Sequence, residues 1–393
     1  MSEWKSVKLG ELYEVHNGLS KGRKFFGSGY PFLSFSTVFN NYFIPDELTD
    51  LVQTTESERN SYSIHRGDIF VTRTSETSDE LGMSCVALKD YPDATYNGFT
   101  KRMRPITDRV LPEYIGYYMR MPSFRGEFQA FSTMTTRASL KNEDLLSLSV
   151  CLPSLDEQNR IAQALLNYDN LIENNQKQIK LLEEAAQRLY KEWFVDLRFP
   201  GYEDVQIVDG VPAGWHKGTV QEIVKYHDTM RKPLSGQQRE KMKGKYRYYG
   251  AAGVLDYVNK YIFDGTYLLL GEDGTVITND GLPVLQYVTG QFWVNNHAHV
   301  LTGKGNYSTE FIYMMFSFMG ISDVVTGVAQ PKISQGRLSA KKVVIPSEGL
   351  AVLFHNNTKP IFDRVLLLEK QITLFSEARD RLLPKLMSGE IEL

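Results

Sequence analysis

The chain has 393 residues, enough for two or three domains that each bury a core of their own. Its formal net charge of −3 at pH 7 excludes binding to nucleic acid through an overall positive charge, so any such contact must rest on local patches. Two cysteines, Cys85 and Cys151, give no disulfide framework or zinc pattern and suit a reducing compartment. With no apolar signal segment at residues 1–5 and no membrane-spanning run, we expect a cytoplasmic protein without membrane contact.

The sequence divides into two globules, residues 1–152 and 200–345, each followed by a helical segment. In the first globule, strand-like runs such as 68–72 lie among glycine and serine turns, and a helical pattern covers 112–121. The second globule repeats this plan after a proline- and glycine-rich linker at 199–214. We therefore expect a mixed α/β (α+β) fold, in which two pseudo-symmetric globular domains are separated by two long antiparallel coiled-coil helices.

The first helical segment, residues 153–199, has a heptad pattern. Ser154 and Glu157 form a capping box that predicts the helix start, and Pro200-Gly201 ends the helix. The predicted seam comprises Ile161, Leu165, Tyr168, Ile172, Asn175, Ile179, Leu182, Ala186, Leu189 and Trp193. Asn175, its one strongly polar member, would fix register and partner. A helix packed on its own domain is the alternative, but the narrow seam and a length of roughly 55–60 Å favour a coiled coil.

The second helical segment, residues 346–393, repeats the first at an offset of 193 residues. Its predicted seam comprises Phe354, Thr358, Ile361, Val365, Leu368, Ile372, Phe375, Arg379, Leu382 and Leu386. A repeat of about half the chain indicates two related halves rather than a solenoid. The copy is imperfect, because Leu350-Ala351 replace Glu157-Gln158 and Pro360 interrupts the pattern. This helix should therefore either kink at Pro360 or start just before it.

Common catalytic motifs are missing from the sequence. It has no Gly-x-x-x-x-Gly-Lys-Ser/Thr loop for ATP phosphates and no Asn/Asp-Pro-Pro-Tyr/Phe segment of the kind found in adenine methyltransferases. His297-Ala298-His299 could bind a metal, but without neighbouring ligands a strand end is the commoner case. Scattered acidic residues establish no catalytic carboxylate pair. We expect a non-catalytic chain with no metal or cofactor of its own.

Four segments follow one another along the chain in an order that carries a family resemblance. They are 140–158, 190–196, the start of the second globule at 211–215 and its end at 327–334. In this order, with two globules alternating with two helical repeats, the whole chain resembles the specificity subunit of type I restriction-modification systems.

This resemblance implies a protein that binds double-stranded DNA, each globule recognising one half of a split target. It also implies that two methyltransferase subunits dock on the helical repeats and that motor-nuclease restriction subunits join them. S-adenosylmethionine, ATP and Mg²⁺ would then belong to the partner subunits. Two DNA-binding domains on one face of B-DNA lie about 34–36 Å apart, which is one helical turn. The length of the long helices would therefore set the number of unread base pairs between the half-sites. The alternative is a protein–protein scaffold without DNA readout.

For such a DNA-binding protein, the most suggestive patch lies between residues 231 and 249, where cations alternate with tyrosines. Its candidate contacts are Arg231, Lys232, Lys241, Lys243, Lys245, Arg247, Tyr248 and Tyr249. The alternative is a solvated loop. Asn296 has an amide suited to adenine, although a buried turn is its commoner role. Gln330 and Lys332 occupy the positions that match Arg137 and Ser139 in the first globule.

The first globule has fewer candidates. Lys21, Arg23 and Lys24 lie in a glycine-rich loop, and Arg73-Thr74 directly follow an apolar strand, from which an arginine could reach guanine O6 and N7. The alternative for Arg73 is a salt bridge at the strand end with Glu76 or Asp79. The remaining candidates are Lys101, Arg102, Thr136 and Arg137.

Overall fold

The computed structural model describes residues 4–75, 81–131, 138–327 and 330–393. The chain divides into two compact units, Met1–Asn174 with Gln371–Leu393, and Asn175–Lys370. Each unit holds one globule together with a part of each long helix, and each mixes helices with sheets. No helix within the described ranges is long and apolar enough to cross a membrane.

The first globule alternates short strands and short helices. Its strands are β1 (Lys5–Lys8), β2 (Tyr13–Asn17), β3 (Phe26–Leu33), β4 (Leu51–Val52), β5 (Ile69–Thr72), β6 (Thr74–Ser75), β7 (Ser84–Val86), β8 (Thr95–Tyr96), β9 (Thr100–Pro105), β10 (Ala138–Ser139) and β11 (Ser149–Leu152). Its helices are α1 (Phe35–Asn40), α2 (Glu56–Ser61), α3 (Pro112–Tyr118), α4 (Pro122–Phe131) and α5 (Asn142–Ser147). The central antiparallel sheet has the order β2-β9-β5-β7. Long helix α6 (Leu155–Tyr190) follows.

The second globule repeats this order with longer strands. They are β12 (Ile207–Val208), β13 (Val211–Pro212), β14 (His216–Thr219), β15 (Val224–Tyr226), β16 (Lys243–Tyr249), β17 (Val254–Val258), β18 (Phe263–Gly271), β19 (Leu285–Val294), β20 (Ala298–Gly303), β21 (Val325–Thr326), β22 (Lys332–Ile333) and β23 (Lys342–Ile345). The helices are α7 (Val220–Ile223), α8 (Gly236–Lys241), α9 (Thr309–Ser317) and α10 (Gln335–Ala340), and long helix α11 (Glu348–Met387) follows. The sheet order is β15-β20-β18-β19-β16-β17, so its first four strands correspond to β2-β9-β5-β7.

Each globule is closed by pairing its first strand with the strand that leads into the following long helix. β1 pairs with β11 in the first unit, from Lys5 opposite Leu152 to Lys8 opposite Ser149. β14 pairs with β23 in the second unit in the same antiparallel sense. The internal repeat predicted from the sequence is therefore a repeat of topology, and it fixes where each long helix begins.

The start of α6 is fastened to the first globule through Gln158. Its side chain is fully buried, and the amide donates to the carbonyls of Arg109 (3.0 Å) and Pro153 (3.1 Å). Its carbonyl oxygen accepts from the backbone N–H of Leu111 at 2.9 Å. Ser154 caps the helix, as the capping box predicts, by accepting from Glu157 N.

The second long helix runs without interruption through Pro360. A start just before Pro360, one of the two alternatives drawn from the sequence, is therefore excluded. Ser347 accepts from the backbone N–H of Leu350 and so supplies the cap. Ala351 takes the place of Gln158 here, and the phenol of Tyr307 instead donates to the Pro346 carbonyl at 2.7 Å.

Within each unit the two helices pack antiparallel. In the first unit the ring centroids of Tyr168 and Phe375 are 6.4 Å apart, and Arg160 donates to the carbonyl of Leu393. In the second unit Tyr190 stacks edge-on against Phe354 at 5.8 Å. Every residue of the two predicted seams is buried or half-buried.

One seam position in the first unit holds a charged pair. The guanidinium of Arg379 donates to the Asp169 carboxylate, which also accepts from the Tyr117 phenol. The same guanidinium lies 5.0 Å from the Tyr42 ring centroid. Burial lowers the pKa of Arg379, but the Asp169 carboxylate outweighs this and raises it above its ordinary value. The ion pair therefore takes the place of an apolar contact in the helix seam.

We expect Asp169→Asn to destabilise the first unit by about 2–3 kcal/mol, because the guanidinium and the phenol lose a charged acceptor. Chemical denaturation followed by circular dichroism measures this loss. Glu377→Gln is the matched control, since it breaks an exposed pair with Arg381 at 3.7 Å and should cost less than about 0.5 kcal/mol. Equal losses from the two variants would contradict a structural role for the Asp169 pair.

Candidate nucleic-acid interface

The basic patch of the second globule lies on helix α8 and at the β16–β17 edge of the sheet. Ser235 and Gln238 form a capping box that starts α8. Tyr248 and Tyr249 are buried, and the Tyr248 phenol accepts from the backbone N–H of Leu234 at 2.9 Å. Both tyrosines therefore anchor strand β16 in the sheet.

The cations of this patch lie on the surface. Lys232, Lys241, Lys243, Lys245 and Arg247 are all exposed. Lys243 lies 2.9 Å from both Glu240 and Asp256, and Lys245 lies 5.2 Å from the Tyr246 ring centroid. The structure thus brings these five predicted residues together on one segment of the second globule.

Asp256 on β17 restrains part of this charge. Its carboxylate accepts from Lys243 (2.9 Å), from Arg239 Nε (3.0 Å) and from the backbone N–H of Tyr257 (2.8 Å). The Lys243 bond, followed by the Tyr257 N–H, lowers the pKa of Asp256 to about 2. The carboxylate is therefore ionised at neutral pH and offsets one positive charge of the patch.

Arg231 belongs to a separate polar network. Its Nη1 donates to Glu272 at 2.6 Å and to the Ala298 carbonyl at 2.7 Å, and its side chain is largely buried. His299 is buried with Nδ1 2.6 Å from Asp228 and Nε2 2.9 Å from the Ile333 carbonyl. Burial raises the pKa of Asp228, but the hydrogen bonds from His299 and the Val300 N–H and the charges of His299 and Arg231 together outweigh it, so the net shift is downward.

Other predicted residues surround this network. Lys332 is exposed, with Nζ 3.5 Å from Glu272, and the Asn296 carbonyl accepts from Arg231 at 3.4 Å. The exposed Asn296 side chain leaves its amide accessible, and Gln330 is exposed as well. The structure therefore brings Arg231 and Lys332 to the Glu272 carboxylate, and the main chain of Asn296 to Arg231.

Three side chains of this network could hold a cation by their chemistry. The ligand atoms of Asp228, Glu272 and His299 all lie within 4.8 Å of one another. However, Arg231 already neutralises Glu272, and both ring nitrogens of His299 face oxygen acceptors of the protein. This arrangement favours an ion-pair network over a metal site.

The predicted residues of the first globule are dispersed. Lys21 pairs with Glu58 at 2.7 Å, whereas Arg23 and Lys24 are exposed in a 3₁₀ turn, Arg23–Phe25. Arg73 is half-buried, with Nη1 3.4 Å from the Asn17 side-chain oxygen.

Two cations of strand β9 lie in the interior. Lys101 and Arg102 are 5% and 3% exposed; Lys101 donates to the Asn142 side chain and Arg102 to the Ser63 carbonyl at 2.8 Å. Burial, followed by the charge of Arg73, lowers the pKa of Lys101.

The remaining candidates of the first globule lie near strand β10 or outside the described residues. The backbone of Thr74 pairs with Ser139. Thr136 and Arg137 lie outside the described residues, as do Glu76 and Asp79, the alternative partners of Arg73.

The sequence prediction overlooked the carboxylates that hold these cations. Asp228, Asp256 and Glu272 each contact an arginine or lysine that was a candidate or its neighbour. For Asp256 a signal was present, because the Gly250–Gly253 turn is followed by the strand-forming residues Val254–Val258. This pattern is typical of a hairpin and would have placed Asp256 beside the basic strand.

The sequence model for the type I restriction modification DNA specificity domain matches residues 1–184 and 212–349. The chain belongs to this family. It is similar to the type I restriction enzyme MjaIX specificity subunit of Methanocaldococcus jannaschii, with 26% identity over 412 residues that cover 100% of this chain and 94% of that protein. The putative MjaX specificity subunit of the same organism is 21% identical over 403 residues, covering 100% and 94%.

A solved structure shows the same fold. The crystal structure of the type I restriction-modification S subunit from M. genitalium matches with a TM-score of 0.57 at 15% identity, covering 98% of this chain and 96% of that chain. As a member of this family, the chain is a specificity subunit, the non-catalytic component that recognises DNA. The match covers both globules, so both halves of the chain are specificity domains.

Proposed function

We propose that this specificity subunit recognises a split target in double-stranded DNA, with one half-site bound by each globule and an unread gap between them. The observation that carries the proposal is the basic segment of the second globule, residues 232–247, whose exposed cations lie just before α8, on α8 and on strand β16 near the sheet edge. A β-ribbon of this kind fits the major groove, and phosphate contacts would position it. The family match to both globules supports the same role for the first globule, although within the described residues its four-stranded sheet has no strands equivalent to β16 and β17.

The candidates fall into two groups by exposure. Exposed cations, suited to phosphates, are Arg23, Lys24, Lys232, Lys241, Lys243, Lys245 and Arg247, while Asn296, Gln330 and Lys332 are exposed and suited to base edges. Arg231, Tyr248, Tyr249, Lys101 and Arg102 are held by the protein itself and would position the surface residues.

We further propose that two methyltransferase subunits dock on the long helices and that motor-nuclease subunits join this assembly in the cytoplasm. The helices carry exposed leucines, Leu171 and Leu374 in the first unit and Leu181 and Leu367 in the second. Exposed apolar side chains beside a buried seam are typical of a surface that a partner covers. S-adenosylmethionine, ATP and Mg²⁺ would be bound by those partners.

A methylome tests the proposed function directly. The chain is co-expressed with its methyltransferase subunit in a host lacking adenine methylation, and modified adenines are mapped by long-read sequencing. We expect a split motif with a fixed unread gap. A continuous motif would contradict recognition by two globules, and no modification despite a verified complex would contradict the DNA-recognition role.

Lys241→Ala with Lys245→Ala should weaken binding to every DNA sequence and reduce the slope of log affinity against log salt by up to about 2, since two phosphate contacts are lost. Fluorescence anisotropy across a salt series measures both quantities. Lys225→Ala with Lys304→Ala removes the same charge from exposed positions at the other sheet edge and should leave the slope unchanged. A similar effect of both double variants would indicate that only net charge matters.

Asp256→Asn should act in the opposite direction. Removing this carboxylate releases Arg239, leaves Lys243 paired with Glu240 alone and takes one negative charge from the patch, so affinity for all sequences should rise and the salt slope steepen by about 1. The same anisotropy titration measures the change, with Asp264→Asn on strand β18 as an exposed carboxylate control. Unaltered binding by Asp256→Asn would place the β16–β17 hairpin outside the DNA contact.

A further inference from the structure

Strand β17 presents large apolar side chains to solvent. Val254, Leu255 and Tyr257 are 41%, 59% and 50% exposed, although β17 is the edge strand of its sheet. An exposed apolar edge invites pairing with other chains, and natural proteins normally avoid it or cover it. The exposure of these three side chains is therefore the kind of feature that a covering partner would explain.

Strand pairing and a β-bulge determine where the side chains of Leu255 and Tyr257 lie on β17. Tyr257 stands opposite Arg247 in the antiparallel ladder, so their side chains are neighbours on one face. The ladder then shifts register between Tyr248 and Tyr249, which pair with Asp256 and Val254, and Leu255 is the extra residue of a bulge.

Leu255 rests on the backbone of Gly250. A Cβ atom added at Gly250 would lie 2.6 Å from Leu255 Cδ1, closer than real contacts allow. Because Gly250 has no side chain, the Leu255 side chain can pack against its backbone, and the bulge places Leu255 there. The apolar group is held in place although more than half of it faces solvent.

The surroundings identify the class of partner. Arg247 stands opposite Tyr257 and Lys245 lies on the same strand as Arg247, so two exposed cations border the apolar group. The hydrogen bond to Tyr249, and then the charge of the nearby Glu369 carboxylate, raise the pKa of Arg247. Lys243 on this strand is paired with Glu240 and Asp256. A polyanion with an apolar feature recessed between its charges fits this pattern. In the major groove of B-DNA, which admits a two-stranded ribbon, that feature is the C5-methyl group of thymine.

We propose that Leu255 and Tyr257 recognise thymine C5-methyl groups in the half-site bound by the second globule, while the adjacent cations contact phosphates. This inference rests on the proposed function and specifies the base chemistry of one half-site. It requires at least one A·T pair in that half-site.

Replacing thymine by uracil tests the inference, because uracil lacks the methyl group and keeps every hydrogen-bonding atom. With the target known, duplexes carrying uracil in one half-site at a time are titrated with the full chain in its methyltransferase complex. We expect roughly fourfold weaker binding for each contacted methyl, in one half-site only. The Leu255→Ala, Tyr257→Ala double variant should bind the thymine and uracil forms of that half-site equally.

Ile207→Ala is the matched control, since it truncates an exposed apolar residue elsewhere in the second unit and should keep the full thymine preference. Thermal melting verifies that each variant folds. Equal binding of thymine and uracil duplexes by the wild-type complex, an unchanged preference in the double variant, or a half-site pair without any A·T would overturn the inference. If the wild-type complex shows no sequence-specific DNA binding, that result would instead overturn the proposed function on which this inference rests.

Discussion

The side chains along the inner faces of the long helices complete the hydrophobic cores of both globules. Ile161 and Leu165 of α6 lie in one buried cluster with Leu383 of α11 and with Tyr114 of the first globule. In the second unit, Trp193 and Phe354 share a cluster with Phe311. Neither globule therefore has a full core without segments from both helices, and the helices in turn are ordered by the globules. Folding of each unit depends on chain segments that are far apart in sequence.

The long helices and the repeat could be predicted from the sequence because their signals are local. Apolar residues at steps of three and four, Ser154 and Glu157 at a helix start and the offset copy at residues 346–393 are all visible without a structure. Pro360 was ambiguous for a physical reason. Proline removes one backbone hydrogen bond, and only packing, which buries Phe354 and Val365 on either side, decides whether the helix continues.

The candidate site was less predictable because its contacts join distant segments. Arg231 was a plausible DNA contact because arginine commonly binds phosphates and bases. In the structure its guanidinium instead donates to the carboxylate of Glu272, 41 residues away in the sequence. Lys101 and Arg102 belong to a basic run, and only the fold brings Asn142 and Ser63 onto them. A cation in a sequence is as suitable for an internal carboxylate or carbonyl as for a phosphate, so the choice between them needs tertiary structure. The cations of β16 are dense in the sequence, and the structure shows them exposed on that strand; their contact with DNA stays a prediction.

The attachment of α6 through Gln158 has a consequence for how such proteins diversify. All three of its hydrogen bonds go to main-chain atoms, those of Arg109, Leu111 and Pro153. Main-chain donors and acceptors are present whatever side chains the globule carries, so this attachment places no demand on the globule's sequence beyond the local backbone path. Mutation or recombination can therefore replace surface residues of the globule while the junction with the helix stays intact. A new specificity can arise without a matching change in the segment that joins it to the rest of the protein.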